Sequence, residues 1–219
     1  MRPVILNEWG DESWCALNLL TPVVLRGAHV VLEPLAFEHH DDLVEAVADG
    51  RLWELWYTSV PSPDGVRAEI ARRLGLFERG TMLPFAVVEA ATGRAVGMTT
   101  FMNVDVENRR VEIGSTWHRA GVQRSGVNSE AKLLLLTHAF ETLECIAVEF
   151  RTSAFNRRSR RAIERLGAKL DGVLRSHMLH ADGTLRDTYV YSIVAAEWPA
   201  VRANLRAMLG RGVGHSEGQ

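Results

Sequence analysis

The stretch VEIGSTWHRAGVQRSGVNSEAKLLLLTHAFETL, residues 111–143, contains the pattern on which the fold of this chain depends. Its first part is rich in β-branched and aromatic residues and predicts a strand over Val111–Trp117. Its last part, Ser129–Leu143, has apolar residues around much of a helical circumference, which predicts a helix buried on more than one side. A polar loop, Gln123–Asn128, joins the strand to the helix.

This loop is suited to binding a phosphate. Gly126 lets the backbone approach a ligand closely, and the first turn of the next helix offers unpaired N–H groups and a partial positive charge. Arg124 adds a full charge. The structural alternative is that Gly126 makes a turn and Asn128 caps the helix, since Asn is a favoured N-cap residue. A P-loop is excluded and a Rossmann turn is disfavoured, because neither glycine pattern is present.

A second polar segment, FNRRSRRAIERLG, occupies residues 155–167. It predicts a helix over Asn156–Leu166 that ends at Gly167, whose freedom at positive φ suits the position after a helix. Six arginines lie between residues 151 and 165. A solvated arginine face is the ordinary explanation of such a cluster, and contact with a 3′-phosphate or another anion is the functional one.

The other segments alternate between strand and helix patterns. Strands are predicted at Val23–Leu35 (strand or bent hairpin), Phe85–Glu89, Ala95–Val104, Ile146–Thr152 and on both sides of the turn Ala181–Gly183. Helices are predicted at Phe37–Val47, Ser62–Phe77 and Trp198–Leu209. This order predicts a mixed α/β (α+β) domain with a largely antiparallel sheet.

The composition is that of a soluble globular protein. The chain has 219 residues, of which 47% are hydrophobic and 24% charged, and its formal net charge is -2. This length supports one large domain, and the balanced charge argues against binding nucleic acid through bulk electrostatics. We expect an N-terminal extension over residues 1–22, the domain over 23–209 and a flexible tail over 210–219.

The cysteines and the N-terminus favour a cytoplasmic protein. Cys15 and Cys145 form no CxxC pair, which argues against a disulfide framework and a zinc knuckle. The N-terminus turns polar too early for a signal peptide, and no stretch approaches the ~20 apolar residues that span a bilayer. The histidines lack zinc spacing, so we expect no metal.

Two motifs in the chain resemble those of a known family. A strand ending in Trp leads to Gln-x-x-Gly-x-Asn and a Ser-Glu-Ala helix, and after the next strand comes Asn-x-x-Ser-x-x-Ala-Ile-x-x-Leu-Gly. This combination resembles the GNAT N-acetyltransferases, most of all the RimJ/RimL type that acetylates protein N-termini. The resemblance extends from about Val24 to Leu209. The family loop usually ends in Gly or Ala, and Asn128 departs from that pattern.

The resemblance implies a sheet splayed at its two central strands, with helices on both faces and acetyl-CoA bound in the gap as co-substrate. It implies cofactor contacts from the strand end, the loop and the next helix: Ser115, Thr116, Trp117, Gln123, Arg124, Ser125, Gly126, Val127, Asn128, Asn156 and Ser159. In the family the Ser of Asn-x-x-Ser protonates the departing CoA thiolate, a catalytic role that falls to Ser159. A homodimer is also an expectation from the family.

Acetyl transfer to an amine also needs a group that removes a proton. An α-amine, with a pKa near ~8, needs less help than a lysine, with a pKa near ~10.4. Glu112 is the first candidate base, and its structural alternative is an ion pair with Arg109 or Arg110. Glu149 and His177 are further candidates, His177 because some RimL-type enzymes place a base on that strand.

Two aromatic groups have open roles. Trp53, Trp56 and Tyr57 lie between the first two predicted helices, where they border the acceptor site in this family or close the core. Tyr189 and Tyr191 share a face of the last strand and either line an acceptor pocket or pack in the core. The hypotheses are therefore an acetyl-CoA-dependent N-acetyltransferase, acting by direct attack of a peptide, protein N-terminal or small-molecule amine, and a non-catalytic acyl-CoA-binding or regulatory module.

Overall fold

The computed structural model describes residues 20–123 and 125–213, and one sheet runs through this part of the chain. Its strands are β1 (Leu25–Arg26), β2 (Val30–Pro34), β3 (Met82–Glu89), β4 (Ala95–Asp105), β5 (Arg110–His118), β6 (Ala147–Ser153), β7 (Lys169–Leu179) and β8 (Leu185–Val194). Their order across the sheet is β1-β2-β3-β4-β5-β6-β8-β7. Neighbours are antiparallel except β5 and β6, which are parallel. The predicted mixed, mostly antiparallel sheet is confirmed.

The helices of the described residues are α1 (His40–Ala48), α2 (Val66–Glu78), α3 (Val127–Thr137), α4 (Arg157–Leu166) and α5 (Trp198–Val213). A π-helical turn, His138–Thr142, continues α3. Helix α3 begins two residues before the predicted Ser129, because Gly126 takes a left-handed conformation (φ 89°) immediately before it. Helix α4 ends as predicted at Gly167, which has φ 107°.

The two faces of the sheet are covered by different helices. Helices α1 and α2 pack on one face, termed the α2 face, where the core contains Leu43, Val47, Ile70, Met98 and Trp117. Helices α3, α4 and α5 pack on the opposite face, the α3 face, where the core contains Val111, Ile113, Ala131, Leu135, Ile163 and Leu205. The expectation of helices on both faces is thus confirmed.

The parallel strands β5 and β6 pair at one end only. Their ladder consists of Arg110 with Ala147, Val111 with Val148 and Glu112 with Glu149. Beyond it β5 continues to residue 118 and β6 to residue 153. The two strands therefore diverge after Glu112, and one edge of each lacks a partner strand among the described residues. This gap is the splay that the sequence motifs implied.

The first turn of α3 is tied to the β1–β2 turn by one carboxylate. Glu130 accepts hydrogen bonds from the backbone N–H groups of Ala28, His29 and Val30, at 2.9, 2.6 and 2.9 Å. Gly27 permits this approach, since a Cβ there would lie 2.4 Å from the carboxylate. The N-terminal hairpin and the helix that begins at the loop are thereby held in one position.

The two ends of the chain and a few further features complete the description of the fold. Residues 1–19, which include Cys15 and most of the proposed extension, lie outside the described residues, and the three-part division of the chain stays a prediction. Helix α5 reaches Val213, beyond the predicted Leu209. Cys145 is a buried free thiol, and burial raises its pKa to about 11. None of the helices in the described part is long and apolar enough to cross a membrane.

Candidate active site

Glu112 lies at the point where β5 and β6 separate, and its carboxyl group is nearly enclosed. The residue is 5% exposed, and it occupies the α2 face because Val111 and Ile113 pack into the α3-face core. Its Oε2 accepts a hydrogen bond from Asn103 Nδ2 at 2.7 Å and lies 3.5 Å from Arg151 Nε. Burial raises the pKa of Glu112, and the Asn103 amide and the Arg151 charge oppose that rise.

A glycine of the same strand leaves room for this carboxyl group. A Cβ on Gly114 would lie 2.8 Å from Glu112 Oε1 and 2.7 Å from Met102 Sδ, closer than real side chains approach. Close approach of this kind requires glycine. The local sequence of β5 therefore accommodates the Glu112 side chain at the apex of the gap.

Glu149, another candidate base, is held in ion pairs. Arg110 Nη2 lies 2.5 Å from its Oε1 and Arg151 Nη2 lies 2.9 Å from its Oε2. Arg110 thus pairs with Glu149, so the ion pair considered for Glu112 and Arg110 is wrong. Both carboxylate oxygens of Glu149 are thus occupied by guanidinium groups, which leaves Glu112 as the better candidate.

His177 and Arg186 belong to the β7–β8 hairpin. His177 is exposed, and its Nδ1 lies 3.2 Å from Thr188 Oγ1. Arg186 is partly buried, and its Nε is enclosed without a hydrogen-bond partner among the described residues. The charge of Arg186 acts on the Glu112 carboxyl and lowers its pKa, as the weakest of the influences on that group.

The tyrosines of β8 lie on the side of the sheet opposite Glu112. Tyr191 is 1% exposed within the α3-face core, and its hydroxyl donates to Glu164 Oε1 at 2.8 Å. Tyr189 packs against the same core, with the Arg160 guanidinium 3.8 Å above its ring centre. The core-packing interpretation is therefore confirmed for Tyr191, and Tyr189 packs at the edge of the same core.

The loop before α3 presents backbone groups. Gly126 is the N-cap of α3, and a glycine has no side chain that could accept a hydrogen bond. The N–H groups in the first turn of α3 therefore have no capping side chain as acceptor. The Oδ1 of Asn128 contacts His118 Nε2 at 3.0 Å from inside the helix, so its predicted capping role is wrong. Ser125 Oγ donates to the Val122 carbonyl at 2.5 Å, and Val127 is buried in the α3-face core. Arg124 lies outside the described residues.

The start of α4 lies beside this loop. Asn156 is the N-cap of α4, and its Oδ1 accepts from the Ser159 backbone N–H at 3.0 Å. The Arg158 guanidinium donates to the side-chain carbonyl of Gln123. The structure thus brings Gln123, Asn156 and Ser159 to the same end of the gap.

The arginines of residues 151–165 do not form one patch. Arg151 binds the carboxylates at the apex, Arg158 reaches the loop, and Arg160 covers a tyrosine ring. Arg157, Arg161 and Arg165 are exposed. The six side chains do not share one face, because Arg151 lies on β6 and α4 turns the others to different sides. Contact of the exposed arginines with a phosphate stays a prediction.

A bulge interrupts the predicted alternation of β5. Met98 pairs with Trp117 and Thr100 with Gly114, so the two strands differ by one residue between these pairs. Ser115 has φ 47° there. The Thr116 side chain consequently takes the α3 face and Trp117 the α2 face. Regular alternation along the predicted strand would place Ser115 on the same face as Val111 and Ile113, and the extra residue shifts that alternation.

A buried lysine was missed by the sequence analysis. Lys132 is 6% exposed, and its Nζ donates to Thr116 Oγ1 at 2.9 Å and to Thr99 Oγ1 at 3.4 Å. Burial lowers its pKa to about 7. Burial and then the Lys132 charge lower the pKa of His118 to about 4. The available signal was one charged residue within the apolar stretch of α3.

Trp56 joins three separate segments at the edge of the site. Its ring centre lies 5.7 Å from that of Tyr57, 5.1 Å from Phe155 and 4.8 Å from His180, yet 46% of Trp56 is exposed. An open cleft is lined by Trp56, Phe155, Asp182, Thr184 and Leu185. Trp53, by contrast, packs against the α2-face core. The predicted aromatic group therefore divides between the core and the cleft.

Comparison with known proteins agrees with this architecture. Residues 29–169 match the acetyltransferase (GNAT) domain family. A segment of 106 residues, 48% of this chain and 57% of the relative, is 34% identical to YdaF of Bacillus subtilis (strain 168), provisionally named a ribosomal N-acetyltransferase. The chain therefore spans little more than half the length of this relative. The likeness agrees with the RimJ/RimL resemblance.

Two solved structures share the whole fold. A GCN5-related N-acetyltransferase from Brucella melitensis has a TM-score of 0.79 and 30% identity, over 90% of each chain. Mycobacterium smegmatis RimJ, solved in complex with CoA-disulfide, has a TM-score of 0.72 and 22% identity, over 86% of this chain and 95% of that one. Since the family match extends over more than half of the sequence and includes both splayed strands, the chain belongs to the GNAT acetyltransferases, a family that uses acetyl-CoA.

Proposed function

We propose that this protein transfers the acetyl group of acetyl-CoA to a primary amine, either the α-amine of a peptide or protein or the amine of a small molecule. One observation supports this most. The gap between β5 and β6 opens at the enclosed carboxyl group of Glu112, and the helix that follows β5 begins at Gly126 without a side-chain cap. A proton acceptor and an anion-binding helix terminus thus belong to the same strand–loop–helix unit.

The loop and the two helix starts support a site for the co-substrate. Backbone N–H groups at the start of α3 suit a pyrophosphate, because they combine unpaired donors with the positive end of the helix dipole. The unpaired edge of β5 at residues 115–117 suits the amide groups of pantetheine, as an added strand pairs with a sheet edge. Gln123, Asn156 and Ser159 complete this side of the site.

The environment of Glu112 supports its role as general base. A base is most effective when its pKa approaches the working pH, and burial raises the pKa of this carboxyl group toward that range. The Asn103 amide fixes one oxygen at 2.7 Å. An α-amine requires less assistance than a lysine amine, because its own pKa lies near ~8.

The proposed reaction is a direct transfer. The amine nitrogen attacks the thioester carbonyl carbon, the new C–N bond forms, and the C–S bond breaks as Glu112 accepts the amine proton. CoA leaves as a thiolate and takes the hydroxyl proton of Ser159, which lies in the first turn of α4. Water then relays the proton from Glu112 to the Ser159 oxygen, which restores the Glu112 carboxylate and the Ser159 hydroxyl. The amide product and CoA thiol account for all atoms and charges.

The cleft beside Trp56 is the proposed acceptor site. Its aromatic and leucine side chains favour apolar contact, and Asp182 and the faces of the aromatic rings favour a cation. The name of the relative YdaF supports a protein N-terminus as one acceptor to be tested. A homodimer and a cytoplasmic location complete the proposal, and the dimer is tested by light scattering of the purified protein.

Thiol release from acetyl-CoA tests this function. The acceptors are peptides with a free N-terminus, the same peptides with an acetylated N-terminus, lysine-containing peptides and small amines. Release with free but not blocked N-termini supports α-amine transfer, and release with small amines alone assigns the other acceptor class. Tight CoA binding with no release for any acceptor would instead indicate a non-catalytic acyl-CoA-binding or regulatory module.

A further inference from the structure

The bulge in β5 is held by an arginine from another element. Arg73, in the third turn of α2, is 2% exposed, and its Nη2 donates to the backbone carbonyl of Ser115 at 2.9 Å. Ser115 is the residue with φ 47° in the bulge. A left-handed conformation is costly for a non-glycine residue and persists when surrounding contacts impose it. The Arg73 contact is one that imposes it.

The other two nitrogens of the Arg73 guanidinium also make hydrogen bonds. Its Nε binds Glu69 Oε1 at 2.7 Å within α2, and its Nη1 donates to Thr100 Oγ1 on β4 at 3.0 Å. Thr100 lies opposite Gly114 in the β4–β5 ladder. The planar guanidinium therefore bridges the helix and two strands, which the single ammonium group of a lysine does not reproduce.

This contact fixes the orientation of one peptide group. Arg73 approaches from the α2 face, so the Ser115 carbonyl is turned out of the sheet toward α2. Because the peptide bond is planar and trans, the N–H of Thr116 points the opposite way. The same turn sends the Thr116 side chain to the α3 face and Trp117 to the α2 face.

We propose that Arg73 is a positioning residue for the co-substrate: it holds the bulge at Ser115 and so sets the backbone geometry of residues 115–117 that pairs with pantetheine. The proposal rests on the proposed function, since it assumes that β5 binds acetyl-CoA along this edge. Arg73 itself is buried, and it acts by supporting the backbone of β5. Without it, β5 is expected to relax toward regular alternation and to lose this geometry.

The test compares two adjacent arginines of α2. Arg72 also pairs with Glu69, at 2.8 Å, but its guanidinium is half exposed and its hydrogen bonds within the described chain stay in α2, which makes Arg72→Gln the matched control for Arg73→Gln. We expect Arg73→Gln to weaken CoA binding measured by calorimetry at least 10-fold and to lower kcat/KM for acetyl-CoA about 10²-fold, as misplacement by about 1 Å does. The KM for the amine should change less than 2-fold. Arg73→Lys should fall between the wild type and Arg73→Gln.

A folded Arg73→Gln or Arg73→Lys protein with the CoA affinity and kcat/KM of Arg72→Gln would overturn the proposal. A structure of the wild-type protein with CoA decides the matter even if both variants fail to fold. The expected result is pantetheine paired with residues 115–117 while the Ser115 carbonyl stays on Arg73; a carbonyl turned away from Arg73, or pantetheine paired with β6 alone, would refute it. If the wild type binds CoA but acetylates no amine, the proposed function fails, while the affinity comparison still tests Arg73.

Discussion

The Glu112 carboxyl group is buried, and its polar partners offset only part of the free energy that burial of its charged form costs. Removing a carboxylate from water disfavours its charged form, and one amide and one shared guanidinium compensate incompletely. The pKa of Glu112 is therefore raised, with burial as the largest cause. A raised carboxyl pKa means that the folded protein holds this proton more tightly than the unfolded chain does. The stability that this gives is present at acid pH and is lost as the pH rises through the raised pKa.

Glu112→Gln should separate activity from stability. We expect kcat to fall about 10²-fold or more, because general bases contribute that much, while CoA affinity stays unchanged. At pH 8 the variant should unfold at a temperature equal to or above that of the wild type, since the amide carries no buried charge, and this advantage should shrink at pH 5. Steady-state kinetics and thermal unfolding at both pH values check this.

Glu149→Gln is the control for this variant. Glu149 faces Glu112 across the parallel ladder and neutralises Arg110 and Arg151. The Glu149→Gln variant should be less stable than the wild type and should keep most of the wild-type kcat. Full activity in Glu112→Gln would move the base to His177, to Glu149 or to bulk water.

Lys132→Met should stabilise the protein. The Lys132 pKa is lowered to about 7 in the folded state, so between pH 7 and its ordinary value of 10.5 the unfolded chain binds more protons. The contribution of Lys132 to the stability of the wild type therefore rises with pH over that range. The gain from methionine should be about 1–4 kcal/mol at pH 6.5, the range found when buried ion pairs are replaced by apolar residues, and smaller at pH 9.5.

Urea unfolding at both pH values measures this gain. Lys169→Met is the control, because the Lys169 side chain is 75% exposed and its replacement should alter stability little at either pH. A Lys132→Met protein that is less stable than the wild type at pH 6.5 would contradict the expected cost of the buried charge.

At the scale of elements, the start of α3 depends on one backbone conformation. Gly126 has φ 89°, and a Cβ there would meet only ordinary contacts, the nearest being His29 Cδ2 at 3.6 Å. The requirement for glycine is thus conformational, with a left-handed cost of about 1–2 kcal/mol for other residues. A side chain at this N-cap would also stand where a ligand approaches the first turn.

Gly126→Val should therefore weaken CoA binding severely, at least 10-fold by calorimetry, with a modest loss of stability. Gly93→Val is the matched control, because Gly93 also has positive φ (68°) in the β3–β4 turn, and a Cβ there would meet no atom of the described residues within 4 Å. The control should lose comparable stability but keep its CoA affinity. Unchanged affinity in Gly126→Val would refute the placement of the pyrophosphate.

At the scale of the whole molecule, the proposed acceptor cleft is assembled from distant parts of the chain. Trp56 follows α1, Phe155 precedes α4, and His180 belongs to the β7–β8 hairpin, and their ring centres lie 5.1 Å or less from that of Trp56. Such a cleft has no local sequence signature, because no two of these segments are adjacent in the chain. It exists only when all three elements are packed on the sheet.

Trp56→Ala should raise KM for the amine at least 10-fold and leave CoA affinity unchanged, since Trp56 lines the proposed acceptor cleft. Initial-rate kinetics with the preferred amine and calorimetry with CoA provide the two readings. Because Trp56 is 46% exposed, its loss should cost little stability. A variant with normal KM for every accepted amine would remove this cleft from the acceptor site.

Much of the architecture follows from local patterns. The strand β5, the glycine before α3 and the glycine after α4 follow from residue spacing and from the φ angles that glycine permits, and both depend on neighbours along the chain. The order of strands and helices was predictable for the same reason. Element ends shifted by a few residues, as at Val127, because capping geometry decides where a helix begins.

The sequence alone therefore determined the order of the elements, the loop that leads into α3 and the family to which the chain belongs. The tertiary structure decided which partners the buried and partly buried arginines have. Arg151 pairs with Glu112 and Glu149, Arg160 lies over the Tyr189 ring, and Arg73 donates to the Ser115 carbonyl. The physical reason is that regular helix and strand conformation depends on near neighbours, whereas burial, ion pairing and the bulge at Ser115 depend on residues that folding brings together. The chemistry proposed for Glu112 belongs to the second kind, because its raised pKa arises from the packing of distant strands around it.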